Sequence, residues 1–286
     1  MRSRQHIPLR ELWGGFLPRY SKGYYVVLRG YIDESYGPNQ NVFAWSCLMG
    51  RPAHWWEMER KWKLRLNAKN RELKKAGRPS ISRYHASDCS GRRNEFDGWS
   101  HDERDAFVLG LFGIFKQTPL HASVFDMQLD ELIDVFPEWS EDRLGAAYHW
   151  LTTFQMYMIG QDFKKLMPHG VVTLFHDQTA GNGRYDPVIL RAFNQQMNKP
   201  DFMHKEHFTT IAPMRWEQCR ALQPADLVAF ECFKDAEGRL EARESRKSFK
   251  ALLSMKEFGI HSKSIDRTMM VKLREALERE FNFPKK

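Results

Sequence analysis

The stretch Tyr-Tyr-Val-Val-Leu-Arg-Gly-Tyr-Ile-Asp-Glu-Ser-Tyr, residues 24–36, decides the fold. Its β-branched and aromatic residues predict a strand. The strand ends on two adjacent carboxylates, Asp33 and Glu34, and the loop-forming Gly37-Pro38-Asn39 follows. A carboxylate at the end of a central strand is costly unless it is paired or bound to a cation. Asp33 therefore predicts a partner elsewhere in the chain.

The composition is that of a basic globular protein. With 286 residues, of which 42% are hydrophobic and 28% charged, the chain can bury a substantial core and favours one large domain. Lys and Arg outnumber Asp and Glu by 44 to 36, which gives a net charge of +8. This surplus suits a polyanionic partner such as DNA or RNA, although many basic proteins bind neither.

The cysteines and apolar residues are distributed as in a cytoplasmic protein. The four cysteines are scattered along the chain, so neither a disulfide framework nor a zinc ribbon is expected. No apolar run approaches the ~20 residues that span a bilayer, and no membrane association is expected. The histidines have no partners at zinc-ligand spacing. Neither a nucleotide-binding glycine loop nor an acyl-transfer serine motif occurs.

The order of elements predicts an α/β domain. Strands are expected at about 24–33, 42–49, 120–125, 171–175 and 208–211, and helices at about 54–76, 101–116, 140–166, 186–198 and from 222. The sequence predicts a surface arm at residues 1 to about 22. It also predicts a helical insertion after the second strand, at about 53–117, and a helical C-terminal extension of two helices at about 235–286. No linker or repeat interrupts the chain, so a single domain over residues 1–286 is expected.

Three aspartates interrupt otherwise apolar elements. Asp33 and Asp177 each end a predicted strand, and Asp226 lies in the first turn of a late helix. With the insertion set aside, the elements follow the order of the ribonuclease-H-like fold, a mixed sheet flanked by helices. In that fold the first and fourth strands are neighbours. Their carboxylates meet at one edge of the sheet, and an acid from the last core helix completes the site.

Three such acids suit metal-dependent phosphodiester hydrolysis. Two Mg²⁺ or Mn²⁺ ions about 3.5–4 Å apart activate a water and stabilise the leaving oxygen. These hard cations prefer oxygen ligands, and three carboxylates without a cation raise one another's pKa. The pattern therefore predicts Asp33, Asp177 and Asp226 as metal ligands.

Four motifs resemble, in the same order, those of the family called domain of unknown function 3800. They are Tyr31-Ile32-Asp33-Glu34-Ser35, Tyr84-His85-Ala86-Ser87-Asp88, Phe175-His176-Asp177, and Leu222-Gln223-Pro224-Ala225-Asp226-Leu227-Val228-Ala229. The resemblance extends from about residue 29 to about residue 232, and its first and last motifs are the most specific. The chain departs from the family pattern at Tyr36, where a glycine is usual. Near the second motif it has Arg83 and His85, where many relatives have a lysine.

The resemblance implies a ribonuclease-H-like fold and a metal-dependent nuclease. The family is otherwise described as uncharacterised and is linked to mobile elements or phage defence. The resemblance implies that Asp33, Asp177 and Asp226 occupy the acid positions of the site. Glu34 and His85 fall on the flanking motifs, where they would assist catalysis.

Each candidate also has a structural interpretation. Asp33 with Glu34 could form a turn, Asp177 could form an Asx turn, and Asp226 could favour its helix start through the macrodipole. Adjacent strand residues face opposite sides of a sheet, so Glu34 joins the cluster only if the backbone turns. Asp126, at the end of the third predicted strand, would replace Asp177 on another assignment of the strands. A lone histidine such as His85 is more often structural than catalytic.

The expected function is divalent-metal-dependent hydrolysis of phosphodiester bonds in DNA or RNA, with the basic helix at about 54–76 receiving the backbone. Two alternatives come from other classes of protein. One is a catalytically inactive module of the same fold that binds nucleic acid or a partner, and the other is a structural subunit of a defence complex. Cation-dependent cleavage separates the nuclease from both alternatives.

Overall fold

The computed structural model describes residues 26–37, 41–178, 183–255 and 258–281, with side chains described as far as residue 275. The expected surface arm at 1–22, the first two residues of the strand at 24–33 and most of the loops at 37–39 and 181–183 lie outside these ranges.

A six-stranded mixed sheet forms the centre of the fold, with the strand order β5-β4-β1-β2-β3-β6. The strands are β1 (Val26–Tyr36), β2 (Val42–Gly50), β3 (His121–Gln128), β4 (Gly170–Asp177), β5 (Phe208–Met214) and β6 (Gly259–Ile265). Strand β2 is antiparallel to both β1 and β3, whereas β4 is parallel to β1, β5 to β4 and β6 to β3. The first and fourth strands are therefore neighbours, as the order of elements predicted.

Helices cover the sheet. They are α1 (Pro52–Lys75), α2 (Ala86–Gly91), α3 (His101–Phe115), α4 (Leu129–Val135), α5 (Arg143–Leu166), α6 (Asp186–Asn198), α7 (Leu222–Leu240), α8 (Lys247–Leu253) and α9 (Arg267–Phe281). Short 3₁₀ turns occur at Asn94–Phe96, Pro137–Asp142 and Lys205–His207. The predicted α/β class, a mixed sheet flanked by helices, is confirmed, and α1, α2 and α3 lie between β2 and β3.

The residues of β1 alternate between two hydrophobic cores. Tyr31 joins a core built with α1, α3 and α7, while Leu28 and Ile32 join a core built with α5 and α6. This alternation follows from the two-residue period of a strand. The next strand, β2, is buried at every position and is accordingly almost wholly apolar, as expected for a strand covered on both faces.

Three local predictions are wrong. The sequence predicts an extended piece over Tyr84–Asp88, but α2 begins at Ala86. The sequence predicts Ser140 as the cap of the helix at about 140–166, but Asp142 caps α5: a 3₁₀ turn precedes the helix, and Asp142 Oδ1 accepts from the backbone N–H of Gly145 at 3.1 Å. The C-terminal region contains β6 in addition to helices. This strand is largely polar and exposed, so it lacks the apolar pattern by which strands are recognised.

Candidate active site

Parallel pairing of β1 with β4 brings Asp33 and Asp177 to the same edge of the sheet. Ile32 is the register partner of His176, so the two aspartates follow side by side at the carboxyl ends of their strands. Two residues earlier on the same face, the rings of Tyr31 and Phe175 stack with their centroids 5.4 Å apart. This aromatic pair packs across the two strands just below the acids.

The start of α7 lies over the end of β1 and carries Asp226 to it. Ser46 on β2 is the register partner of Asp33. The Ser46 Oγ hydroxyl donates to the carbonyl of Ala225 at 2.8 Å in a fully buried contact. The next residue along the helix is Asp226. The prediction that Asp226 lies in the first turn of the helix is wrong, because that turn contains no acid and Asp226 follows it, where the effect of the macrodipole is weaker.

All five residues predicted for the site border one cavity of about 460 Å³. They are Asp33, Glu34, His85, Asp177 and Asp226. The other lining residues include two arginines, a tryptophan and a further acid, and they are Arg83, Tyr84, Gln178, Arg215, Trp216, Glu217, Leu222 and Gln223. Residues far apart in the chain therefore share one polar cavity at the edge of the sheet.

The carboxylates of the cavity hold their protons more strongly than usual. Burial raises the pKa of Asp33 well above its ordinary value, and the negative charges of Asp226, Glu34 and Asp177 add to the effect. Burial also raises the pKa of Asp177 to about 6, although the backbone N–H of Gln178 opposes this. The pKa of Asp226 is raised by burial, against the positive influence of His85. Clustered buried acids behave in this way when no cation neutralises them.

Glu34 lies between the cavity and the opposite face of the sheet. The Tyr148 hydroxyl, on α5, donates to Glu34 Oε1 at 2.6 Å. Burial raises the pKa of Glu34 to about 7, and the hydrogen bond from Tyr148 opposes the rise. The backbone does not turn at Glu34, since β1 continues to Tyr36. Glu34 nevertheless reaches the rim of the cavity, with its side chain held by Tyr148.

His85 is fixed at the start of α2, beside Asp226. Its Nδ1 lies 2.8 Å from Asp88 Oδ2, and the backbone N–H of Ala86 donates to Asp226 Oδ2 at 2.8 Å. The segment that carries His85 is thus attached to α7 through the backbone, while the imidazole borders the cavity. This arrangement suits a group that orients or transfers a proton near Asp226.

The alternative in which Asp126 replaces Asp177 does not hold. Asp126 Oδ1 accepts from Arg239 Nη2 at 2.8 Å and from the hydroxyl of Ser264 at 2.5 Å. It lies on β3, which β2 separates from β1, and it does not border the cavity. Asp126 is part of an ion-paired network that ties α7 to β3 and β6.

Sequence reasoning missed Gln223, which is 4% exposed and joins three elements. Its Oε1 accepts from Trp62 Nε1 of α1 and from the backbone N–H of Tyr84, each at 3.0 Å. Gln223 thereby positions the segment before α2 against α7 at the wall of the cavity. Its place in the last family-like motif was the available signal, but only the fold shows its partners.

The donor set suits a divalent cation in its chemistry. Asp33, Asp177 and Asp226 each accept one backbone hydrogen bond at one oxygen, at 2.8–2.9 Å. The hydrogen bonds found among the described residues leave the second oxygen of each free. Within the described ranges, no three His, Cys, Asp or Glu side chains lie close enough to hold a metal ion as they stand. A cation would therefore draw the carboxylates closer, and its positive charge would offset the burial and the neighbouring negative charges that raise the pKa of Asp33.

Comparison with family models, with curated proteins and with solved structures found no match to this chain. The resemblance to domain of unknown function 3800 therefore depends on the four motifs. None of the helices in the described ranges has the length and apolar composition of a membrane span.

Proposed function

We propose that the chain is a divalent-cation-dependent phosphodiesterase that cleaves nucleic acid. The observation that carries the proposal is the convergence of Asp33, Asp177 and Asp226, from β1, β4 and α7, on one cavity. A group of buried acids is unfavourable by itself. Its assembly from three distant segments is explained if the acids share a cation.

The order and direction of the strands support a ribonuclease-H-like fold. Three antiparallel strands, β1 to β3, are followed by β4 parallel to β1 and β5 parallel to β4. The carboxylates lie at the carboxyl ends of β1 and β4, and the third acid belongs to α7. On this proposal, β6, α8 and α9 are additions at the far side of the sheet.

The chain's own residues divide into two roles. Asp33, Asp177 and Asp226 would hold Mg²⁺ or Mn²⁺, which supplies activation of a water and stabilisation of the leaving oxygen. His85, oriented by Asp88, would accept or return a proton at its Nε2, because Nδ1 faces Asp88. Glu34, fixed by Tyr148, would orient the water at the rim of the site.

A polyanionic substrate is supported by the net charge of +8 and by exposed cations on α1. Lys63, Arg71, Lys74 and Lys75 are exposed there, whereas Lys69 is buried and its Nζ lies 2.7 Å from Glu103 Oε1. The basic face of α1 predicted as a phosphate track is therefore narrower than the sequence indicates. The exposed lysine and arginine side chains of α1 are available for contacts with the phosphate backbone of a nucleic acid.

The test is incubation of the purified protein with labelled single- and double-stranded DNA and RNA, in Mg²⁺, in Mn²⁺ and in EDTA. We expect cleavage products from at least one substrate with a cation and none in EDTA. Binding without product on all four substrates, by protein that circular dichroism shows to be folded, would favour the inactive module. Absence of both binding and product would contradict any nucleic-acid function.

A further inference from the structure

One positively charged side chain in the cavity, that of Arg83, packs against an aromatic ring. The guanidinium of Arg83 lies over the ring of Trp216, with Cζ 4.3 Å from the ring centroid. Both residues line the cavity that contains the acids. A cation–π contact of this kind orients an arginine while leaving its N–H groups free to bind other atoms.

Arg83 is close to the acids but is not bound to them. Its positive charge lowers the pKa of both Asp177 and Asp226 against the effect of burial. Among the described residues, however, its guanidinium forms no ion pair and no hydrogen bond. The neighbouring Arg215 differs, because its Nε donates to Gln178 Oε1 at 2.8 Å. The guanidinium of Arg83 is thus available to an anion that enters the cavity.

We propose that Arg83, oriented by Trp216, binds a phosphodiester group of a nucleic-acid strand beside the acids. This inference rests on the proposed function for the identity of the strand. A planar guanidinium can pair with two phosphate oxygens at once. The acids in the same cavity select among phosphates, because they repel a terminal phosphate of charge about −1.5 to −2 more strongly than a singly charged diester. The favoured ligand is therefore an internal phosphate of a strand.

Trp216 is a positioning residue in this proposal. It lies two residues after the end of β5, in the segment Arg215–Glu217 at the cavity wall. Without the ring, the arginine keeps its charge but gains rotamer freedom. Binding should therefore weaken while the number of phosphate contacts stays the same. Removal of Arg83 itself should reduce both the affinity for the strand and the number of phosphate contacts.

The test is fluorescence anisotropy with a fluorescein-labelled oligothymidylate of about 12 nucleotides, in EDTA, over a range of salt concentrations. We expect Arg83→Met to weaken binding about 10-fold and to reduce the slope of log K against log[salt] by about 0.7, the value for one phosphate contact on a single strand. Trp216→Leu should weaken binding about 3-fold with the slope unchanged. Arg83→Lys should retain the slope and lose several-fold in affinity.

Arg243→Met is the matched control, since Arg243 is exposed and pairs with Glu241 outside the cavity. It should change the affinity less than about 2-fold. Competition separates the sources of phosphate: thymidylyl-thymidine should displace the labelled strand better than thymidine monophosphate or inorganic phosphate. Equal or better displacement by the monophosphates would overturn the assignment to a strand.

The failures of the two proposals are distinguishable. If the wild-type protein cleaves nucleic acid and Arg83→Met binds the strand with unchanged affinity and slope, the inference about Arg83 is wrong and the proposed function stands. If the wild-type protein never cleaves but Arg83→Met weakens binding as expected, the phosphate contact stands and the hydrolysis is wrong. Where cleavage occurs, Arg83→Met should raise KM more than it lowers kcat.

Discussion

Asp33→Asn should abolish cation-dependent cleavage. Asp33 lies at the centre of the acid cluster, and its pKa is affected by the charges of Asp226, Glu34 and Asp177. Asparagine preserves the side-chain shape, and its carbonyl oxygen can still accept the Glu34 N–H that Asp33 Oδ1 accepts at 2.8 Å. The substitution removes the negative charge that is needed to hold a divalent cation. The rate should fall on the order of 10³-fold or more, in the assay with labelled DNA and RNA.

The same substitution should stabilise the protein in EDTA. Burial raises the pKa of Glu34 to about 7 and of Asp177 to about 6. The folded state therefore binds protons that the unfolded state, with carboxyl pKa values of about 4, releases. Unfolding free energy accordingly falls as the pH rises from about 4 to about 7. Removing the negative charge of Asp33 should make this fall in unfolding free energy smaller.

The measurement is the Tm of both proteins in EDTA between pH 5 and pH 8. A gain of about 0.5–2 kcal/mol, the size common for single stabilising substitutions, corresponds to about 1–4 °C at pH 8. Asp126→Asn is the matched control, since it makes the same change on the same sheet. It removes the carboxylate charge that pairs with Arg239, so it should lower the Tm and leave the chemistry at the cavity in place. A lower Tm for Asp33→Asn at pH 8 would contradict the account of the cluster.

Gln223→Leu should destabilise both the fold and the site. The change leaves two buried donors, Trp62 Nε1 and the backbone N–H of Tyr84, without the acceptor that they share at 3.0 Å. Each unsatisfied buried donor costs about 1–3 kcal/mol, so the unfolding free energy should fall by about 2–6 kcal/mol. This corresponds to a Tm about 4–12 °C lower, measured by calorimetry.

Cleavage should fall with the loss of stability, even well below the Tm. Tyr84 precedes His85, and a displacement of about 1 Å at a reacting group costs up to ~10²-fold in rate. Gln195→Leu is the control, because Gln195 is exposed on α6 and lies outside the cavity. It should alter neither Tm nor rate. If Gln223→Leu behaves like the control, Gln223 does not hold the site together.

The sequence was sufficient for the features that depend on hydrophobic pattern. The apolar runs before Asp33 and Asp177 predicted both strands, and the order of elements predicted that these strands are neighbours. The choice between Asp177 and Asp126 was not decided by pattern, since both follow strands. It is decided by pairing: Asp177 ends the strand beside β1, whereas Asp126 lies beyond β2 and faces Arg239.

The remaining parts of the site depend on contacts between distant segments. Gln223 joins α1, α7 and the residue before His85 across 161 and 139 positions of sequence. Arg83 and Trp216 meet only because the segment before α2 and the segment after β5 border the same cavity. A single sequence carries no periodic signal for such pairs. The polar edge strand β6 was missed for the related reason that its pattern has no apolar face.

The central claim is that carboxylates from β1, β4 and α7 share divalent cations. The most direct test is an anomalous-scattering map of crystals soaked in Mn²⁺. The account predicts a peak within ligand distance, about 2.0–2.5 Å, of the oxygens of Asp33, Asp177 and Asp226, with the carboxylates drawn towards it. A map at saturating Mn²⁺ with no peak at these three aspartates would contradict it.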